Sequence, residues 1–200
     1  MNTPKPASWR SRAVIVVIAL LTLGPMLLAW YYASHPELIS QRSNYGQLLT
    51  PIQTLDYTQL AALPSSPVSL DDLKGRWVLV QLGTEGCGAA CNETRHKTHQ
   101  SRLMMNKEIS RIRRLLLLPE QASGWQPPAE FLEDESLVLA RANPLAWQKM
   151  REALGTATPL ESALLLMDPQ GNLVLYYPPG FDPYGLVKDL KHLLKVSQIG

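Results

Sequence analysis

Trp77-Val78-Leu79-Val80-Gln81-Leu82-Gly83, followed after Thr84-Glu85-Gly86 by Cys87-Gly88-Ala89-Ala90-Cys91, is the stretch on which the reading of this chain turns. The run before Gly83 is strongly β-prone, which predicts a buried strand that stops at the glycine. From Ala89 to Arg111 neither proline nor glycine occurs, so one long helix is predicted there. Arg114 to Leu118 then reads as a second strand, stopped by Pro119. Strand, helix and strand in this order form a parallel unit with the cysteines at its first strand-to-helix junction.

Only two cysteines occur in the 200 residues, too few for the multi-bridge framework of a small secreted scaffold or for an all-cysteine zinc site. Four residues apart, they share one face of a helix, and their β-carbons come within about 5 to 6 Å, within reach of a disulfide. The free amides and positive dipole end of the helix N-terminus favour a thiolate on the leading residue. Cys87 is therefore the expected nucleophile and Cys91 the resolving thiol, with Glu85 opposing the activation through its like charge. The competing reading is a structural bridge, but so short a loop removes little unfolded-state entropy.

Upstream, Val68-Ser69-Leu70 alternates and Asp71-Asp72 opens a turn ending at Gly75. Downstream, Ala129 to Glu135 reads as a helical turn or two, and Leu137 to Ala140 as a third strand. Pro144 opens a helix that runs to Leu154 and stops at Gly155. Ala163 to Met167 and Leu173 to Tyr177, joined by Asp168-Pro169-Gln170-Gly171, form a predicted hairpin. Leu186, Val187, Leu190, Leu193 and Leu194 give residues 186–196 the spacing of an amphipathic helix. The order βαβ, insertion, ββα predicts an α/β, thioredoxin-like domain over residues 68–200. Residues 34–67, broken by Pro36, Gly46, Pro51, Pro64 and Pro67, read as a tether and irregular flank.

Ala13 to Tyr32 carries no charge and as a helix is long enough to cross a bilayer, so residues 13–33 are expected to be one transmembrane helix after a leader at 1–12. Lys5, Arg10 and Arg12 precede it, only Arg42 lies close behind, and Trp30, Tyr31 and Tyr32 form an interfacial belt. The N-terminus is thus expected on the cytoplasmic side. A cleaved signal peptide is disfavoured by the length of the apolar run and by bulky Tyr31 and Tyr32. In a bacterium this is an inner-membrane protein with a periplasmic domain, in an oxidising compartment.

A formal net charge of +2 gives no reason to expect a nucleic-acid partner. Arg95, Lys97, Arg102, Lys107, Arg111, Arg113 and Arg114 are read as a solvated basic face in preference to a surface for anionic lipid headgroups or an acidic partner, and no aromatic residues interleave for base stacking.

The segment Val68-Ser69-Leu70-Asp71-Asp72-Leu73-Lys74-Gly75-Arg76-Trp77-Val78-Leu79-Val80, the C-x3-C pair, and Leu166-Met167-Asp168-Pro169-Gln170-Gly171 together resemble the SCO/SenC family of membrane-anchored thioredoxin-fold proteins. The resemblance runs from about Val68 to Lys195. It implies a part in assembling the copper centre of cytochrome c oxidase, with an oxidase subunit or assembly factors as partners. It further implies either Cu(I) bound by Cys87, Cys91 and a histidine, or thiol reduction by the pair. The tail from Tyr177 to Pro183, with Lys188-Asp189-Leu190, is similar to small bacterial membrane proteins that accompany haem-copper oxidase assembly factors. Two positions depart from the pattern: Glu161, in Leu160-Glu161-Ser162, stands where the family has its histidine, and Gly88 where it has proline. A carboxylate is a poor donor for Cu(I), whereas dithiol chemistry needs only the cysteines.

The remaining histidines do not restore the set within one helix. His99 lies about 12 Å beyond Cys91 and His96 is rotated off the cysteine face. His35 and His192 read as solvated, and Met104 and Met105 as core filling. Three readings stay open: a thiol-disulfide redox protein, a Cu(I) metallochaperone, and a non-catalytic assembly scaffold.

Overall fold

In the computed structural model the described residues are 9–35, 44–155 and 158–197, and they form two units, one within 1–43 and one within 44–200. The expectations for the leader before Trp9, for Pro36 and for Arg42 lie outside the described residues. The first unit is α1 (Trp9–Ser34), which continues through Pro25. Its segment Arg12–Ser34 has a mean hydropathy of 2.5 and contains no buried residue, so by length and composition it is able to cross a bilayer.

The second unit is built on a mixed sheet. Its strands are β1 (Gln47–Thr54), β2 (Leu60–Ala62), β3 (Trp77–Leu82), β4 (Ile112–Pro119), β5 (Leu137–Ala142), β6 (Leu164–Met167) and β7 (Asn172–Tyr177), in the spatial order β1-β7-β6-β3-β4-β5-β2. The β3, β4 and β5 strands are parallel, whereas β6 runs antiparallel to β3 and β7 to β6. All six residues of β3 are buried, as expected of a central strand covered on both faces.

The helices are α2 (Ala89–Leu103), α3 (Ala129–Leu132), α4 (Pro144–Leu154) and α5 (Pro183–Val196). Alternation divides the core between the two faces of the sheet. Val78, Val80, Leu115 and Leu117 pack with Met150 and Leu154 of α4 on one face. Leu79 and Leu166 pack with Leu186, Leu190 and Leu194 of α5 on the other, where Leu116, Leu118 and Leu139 also gather with Cys91 of α2. The amphipathic spacing of residues 186–196 thus falls on a real core contact. Local signals set the helix starts: Asn143 accepts from the Ala146 amide ahead of Pro144, and Asp182 caps α5 ahead of Pro183.

Three expectations need correction. Within the span read as irregular flank, residues 47–54 and 60–62 supply the two edge strands of the sheet, β1 against β7 and β2 against β5. Pro51 is tolerated because β1 is an edge, where a missing amide donor breaks no ladder beyond. The long helix ends at Leu103, eight residues early, and Asn106–Arg111 continues as a 3-10 turn. Asn106 takes φ +49°, and asparagine enters this left-handed region more readily than most residues, so the helix stops without glycine or proline.

Arg114 is the third correction, because it lies in β4 and is 1% exposed, not on a solvated face. Its guanidinium donates to the Asp134 carboxylate, the Arg95 carbonyl (2.7 Å) and the Thr98 hydroxyl (3.2 Å). Burial lowers its pKa to about 10 against the pull of Asp134, which leaves it charged at neutral pH. Several of its basic neighbours are paired as well: Arg95 with Glu130 at 3.1 Å, Lys97 with Glu93 at 2.7 Å, and Arg113 with Asp72. Of the two methionines expected in the core, Met105 is buried and Met104 is exposed.

Candidate functional site

The central strand delivers the cysteines. Leu82 donates its amide to the Ala163 carbonyl and Gly83 to the Leu117 carbonyl, and the chain then leaves the sheet. A side chain at Gly83 would meet the Gly86 carbonyl oxygen at 2.3 Å, so the loop folds back on itself only with glycine there. Gly86 takes φ +149° beneath the Trp125 ring, which an added β-carbon would meet at 2.3 Å. Gly88 is the N-cap of α2, offering no side chain to the first amides.

Cys87 and Cys91 are joined as a disulfide with their Cα atoms 5.0 Å apart. Their environments differ. Cys91, in the first turn of α2, is wholly buried among Leu63, Leu116, Leu118 and Phe131, while Cys87 is half-buried and packs at the edge of that cluster. Cys87 also lines an open cleft of about 340 Å³ with Thr84, Glu85, Gly86, Gly88, Trp125 and Glu161. Of the two, only Cys87 opens onto this cleft.

Glu161 arrives in this cleft from the turn before β6. Its carboxylate accepts from the Thr84 amide at 2.8 Å and the Thr84 hydroxyl at 2.6 Å, tying that turn to the cysteine loop. Next to it, Ser162 takes φ +63°, a strained conformation for a residue with a β-carbon, and donates its amide to the Leu82 carbonyl. Glu85 and Glu161 place two carboxylates around Cys87.

Gln81 was not among the residues singled out from sequence, although a lone amide in an apolar strand is itself a signal. It is 3% exposed, and its Nε2 donates to the Cys91 carbonyl at 2.6 Å and to Cys91 Sγ at 2.9 Å.

None of the histidines joins the cleft lining. His96 bonds with Gln100, His99 sits 3.3 Å from Asp134 and 3.2 Å from Arg114, His35 stacks on Tyr31, and His192 is exposed on α5. Among the described residues no group of three His, Cys, Asp or Glu is placed to hold a metal ion. Two sulfurs with hard carboxylates, one already engaged by Thr84, do not fit the two-sulfur, one-imidazole set that suits Cu(I).

A parallel β3-α2-β4 unit with an antiparallel β6-β7 pair, and a disulfide-bonded cysteine pair where β3 gives way to α2, defines a thioredoxin-like protein. The chain belongs to the family described as transmembrane-like, thioredoxin-like, C-terminal domain, whose model matches residues 77–197. Solved structures with this fold include apo Sco1 from Thermus thermophilus, 19% identical, covering 77% of this chain and 99% of that one at a TM-score of 0.52. Yeast Sco1 with copper bound is 15% identical, covering 79% of this chain and 96% of that one at a TM-score of 0.50. At such identities the likeness establishes the fold. A search of curated proteins finds no match.

Proposed function

We propose that this protein is a membrane-anchored thiol-disulfide redox protein that exchanges the Cys87–Cys91 disulfide with cysteines of a partner during assembly of a cytochrome c oxidase copper centre. The observation that carries the reading is the asymmetry of the pair: Cys87 opens onto the cleft and Cys91 is sealed in the core. A partner thiolate attacks Cys87, and the buried sulfur serves as leaving group in one direction and resolving nucleophile in the other. The apolar run of residues 13–32 in α1, with Lys5, Arg10 and Arg12 before it, anchors the chain in a bacterial inner membrane with the N-terminus cytoplasmic and the domain periplasmic. The oxidase partner rests on the resemblance of Val68–Val80 and Leu166–Gly171 to the SCO/SenC family.

The test is the full chain with Cys87→Ser and Cys91→Ser together, expressed in cells lacking the native copy, with oxidase copper content as readout. Loss of copper with the variant still present in the membrane is expected. Unchanged copper content overturns the redox reading in favour of a scaffold that docks without chemistry. Single Cys91→Ser protein is expected to accumulate mixed disulfides through Cys87.

A further inference from the structure

We propose that Gln81 is a catalytic residue of this exchange, the hydrogen-bond donor that stabilises the charge left on Cys91 when the disulfide opens; the inference rests on the dithiol reading above. Gln81 is the one polar side chain of β3, held at the centre of the sheet where a lone amide is costly unless both its ends are used. The Cys91 carbonyl at 2.6 Å can only accept, so the group facing it is the NH2 and not the amide oxygen. That fixes the orientation, and the second N–H of the same NH2 is available to Cys91 Sγ at 2.9 Å.

The chemistry needs such a donor. When a partner thiolate attacks Cys87 Sγ, a bond forms between the two sulfurs and the Cys87–Cys91 bond breaks, its electron pair leaving on Cys91 Sγ. That sulfur is wholly buried and cannot be met by bulk water, so a negative charge there has only fixed dipoles to meet it. The Gln81 amide and the first turn of α2 are those dipoles. A second partner thiolate then displaces Cys87. The partner dithiol loses two electrons and two protons to become a disulfide, and Cys87 and Cys91 end as thiols. Read backwards, the same donor holds the Cys91 thiolate as it attacks the mixed disulfide. Gln81 carries no proton to give or take at neutral pH, so it acts by hydrogen bonding alone.

The test uses the full chain in detergent micelles with Gln81→Met, which keeps length and volume and removes the donor. Opening of the disulfide by excess dithiothreitol is expected to slow about tenfold, and, at a pH high enough to keep the reduced Cys91 as thiolate, the exchange equilibrium to move about tenfold toward the disulfide, about 30 mV to more negative potential. A purely structural Gln81, holding only the Cys91 carbonyl, would lower the melting temperature of both redox forms alike and leave equilibrium and rate unchanged, which overturns the proposal. Should the variant fail to fold, the side-chain amide resonance of Gln81 is followed in the unmutated, 15N-labelled protein before and after reduction by a phosphine at pH 9. A downfield shift of one amide proton on reduction supports the donor, and an unmoved resonance overturns it. Phosphine reduction does not depend on thiol exchange, so this readout still decides where dithiothreitol leaves the unmutated pair closed, an outcome that counts against the redox function instead.

Discussion

Asp189 lies 1% exposed on α5 and is the sharpest stability prediction of the fold. Its carboxylate accepts from the Tyr45 amide at 2.9 Å, the Gly46 amide at 2.8 Å and the Tyr177 hydroxyl at 2.8 Å. It thereby ties the start of the second unit, next to the edge strand β1, to both the last strand and the last helix. Asp189→Ala leaves three donors without that acceptor. The Tyr45 amide sits at a partly accessible backbone, whereas the Gly46 amide is buried and the Tyr177 hydroxyl lies in the core, where burial first and the Asp189 carboxylate second raise the Tyr177 pKa above its ordinary value. With about 1 to 3 kcal/mol for each buried donor left unmade, and water recovering part of the backbone cost, the loss is about 3 to 5 kcal/mol. For a unit of this size that corresponds to a melting temperature lower by roughly 10 to 15 °C. Urea and thermal unfolding of the full chain in detergent, followed by tryptophan fluorescence, measure it directly. A loss below about 1 kcal/mol would refute the reasoning, since it would mean these donors find partners elsewhere at little expense.

Burial pushes the Asp134 carboxyl up, but the Arg114 guanidinium and the Ser136 hydroxyl and amide outweigh it and hold the pKa at about 2, against 3.8 unperturbed. A depressed acid contributes stability that is complete above pH about 4 and is lost as pH falls toward about 2. Asp134→Asn is expected to flatten that acid limb of the stability profile and to cost about 3 to 5 kcal/mol at neutral pH by stranding buried Arg114; an unchanged profile would contradict the pairing. Gly86→Ala, at φ +149° and against Trp125, is expected to displace the ring, shift its fluorescence and cost about 1 to 3 kcal/mol, checked by emission spectra and urea unfolding.

Much of this was legible in the sequence because it is local. The run 77–82, the glycines after it and the breaker-free stretch from Ala89 give β3, the cysteine loop and α2, and Pro144 and Asp182-Pro183 mark helix starts by their caps. The features that escaped are contacts made at a distance. The edge strand β1 is interrupted by Pro51 and β2 is only three residues long, so both are defined by pairing with β7 and β5. Arg114 reads as one cation among several until Asp134 arrives twenty residues later, although its place in the alternation of β4 with buried Leu116 and Leu118 was a usable hint. Glu161 and Thr84 are 77 residues apart, and no local pattern announces their bond. Asn106 ends a helix by entering a conformation its neighbours avoid, where composition alone favoured continuation.

The reduction potential of Cys87 and Cys91 in the full-length, membrane-solubilised protein bears most directly on the role assigned to the pair. A working redox site equilibrates with thiol buffers at a potential between about −120 and −270 mV, and this is the expected result. A pair that stays oxidised below about −300 mV, or never exchanges with a thiol at all, would mark a structural bridge and contradict it.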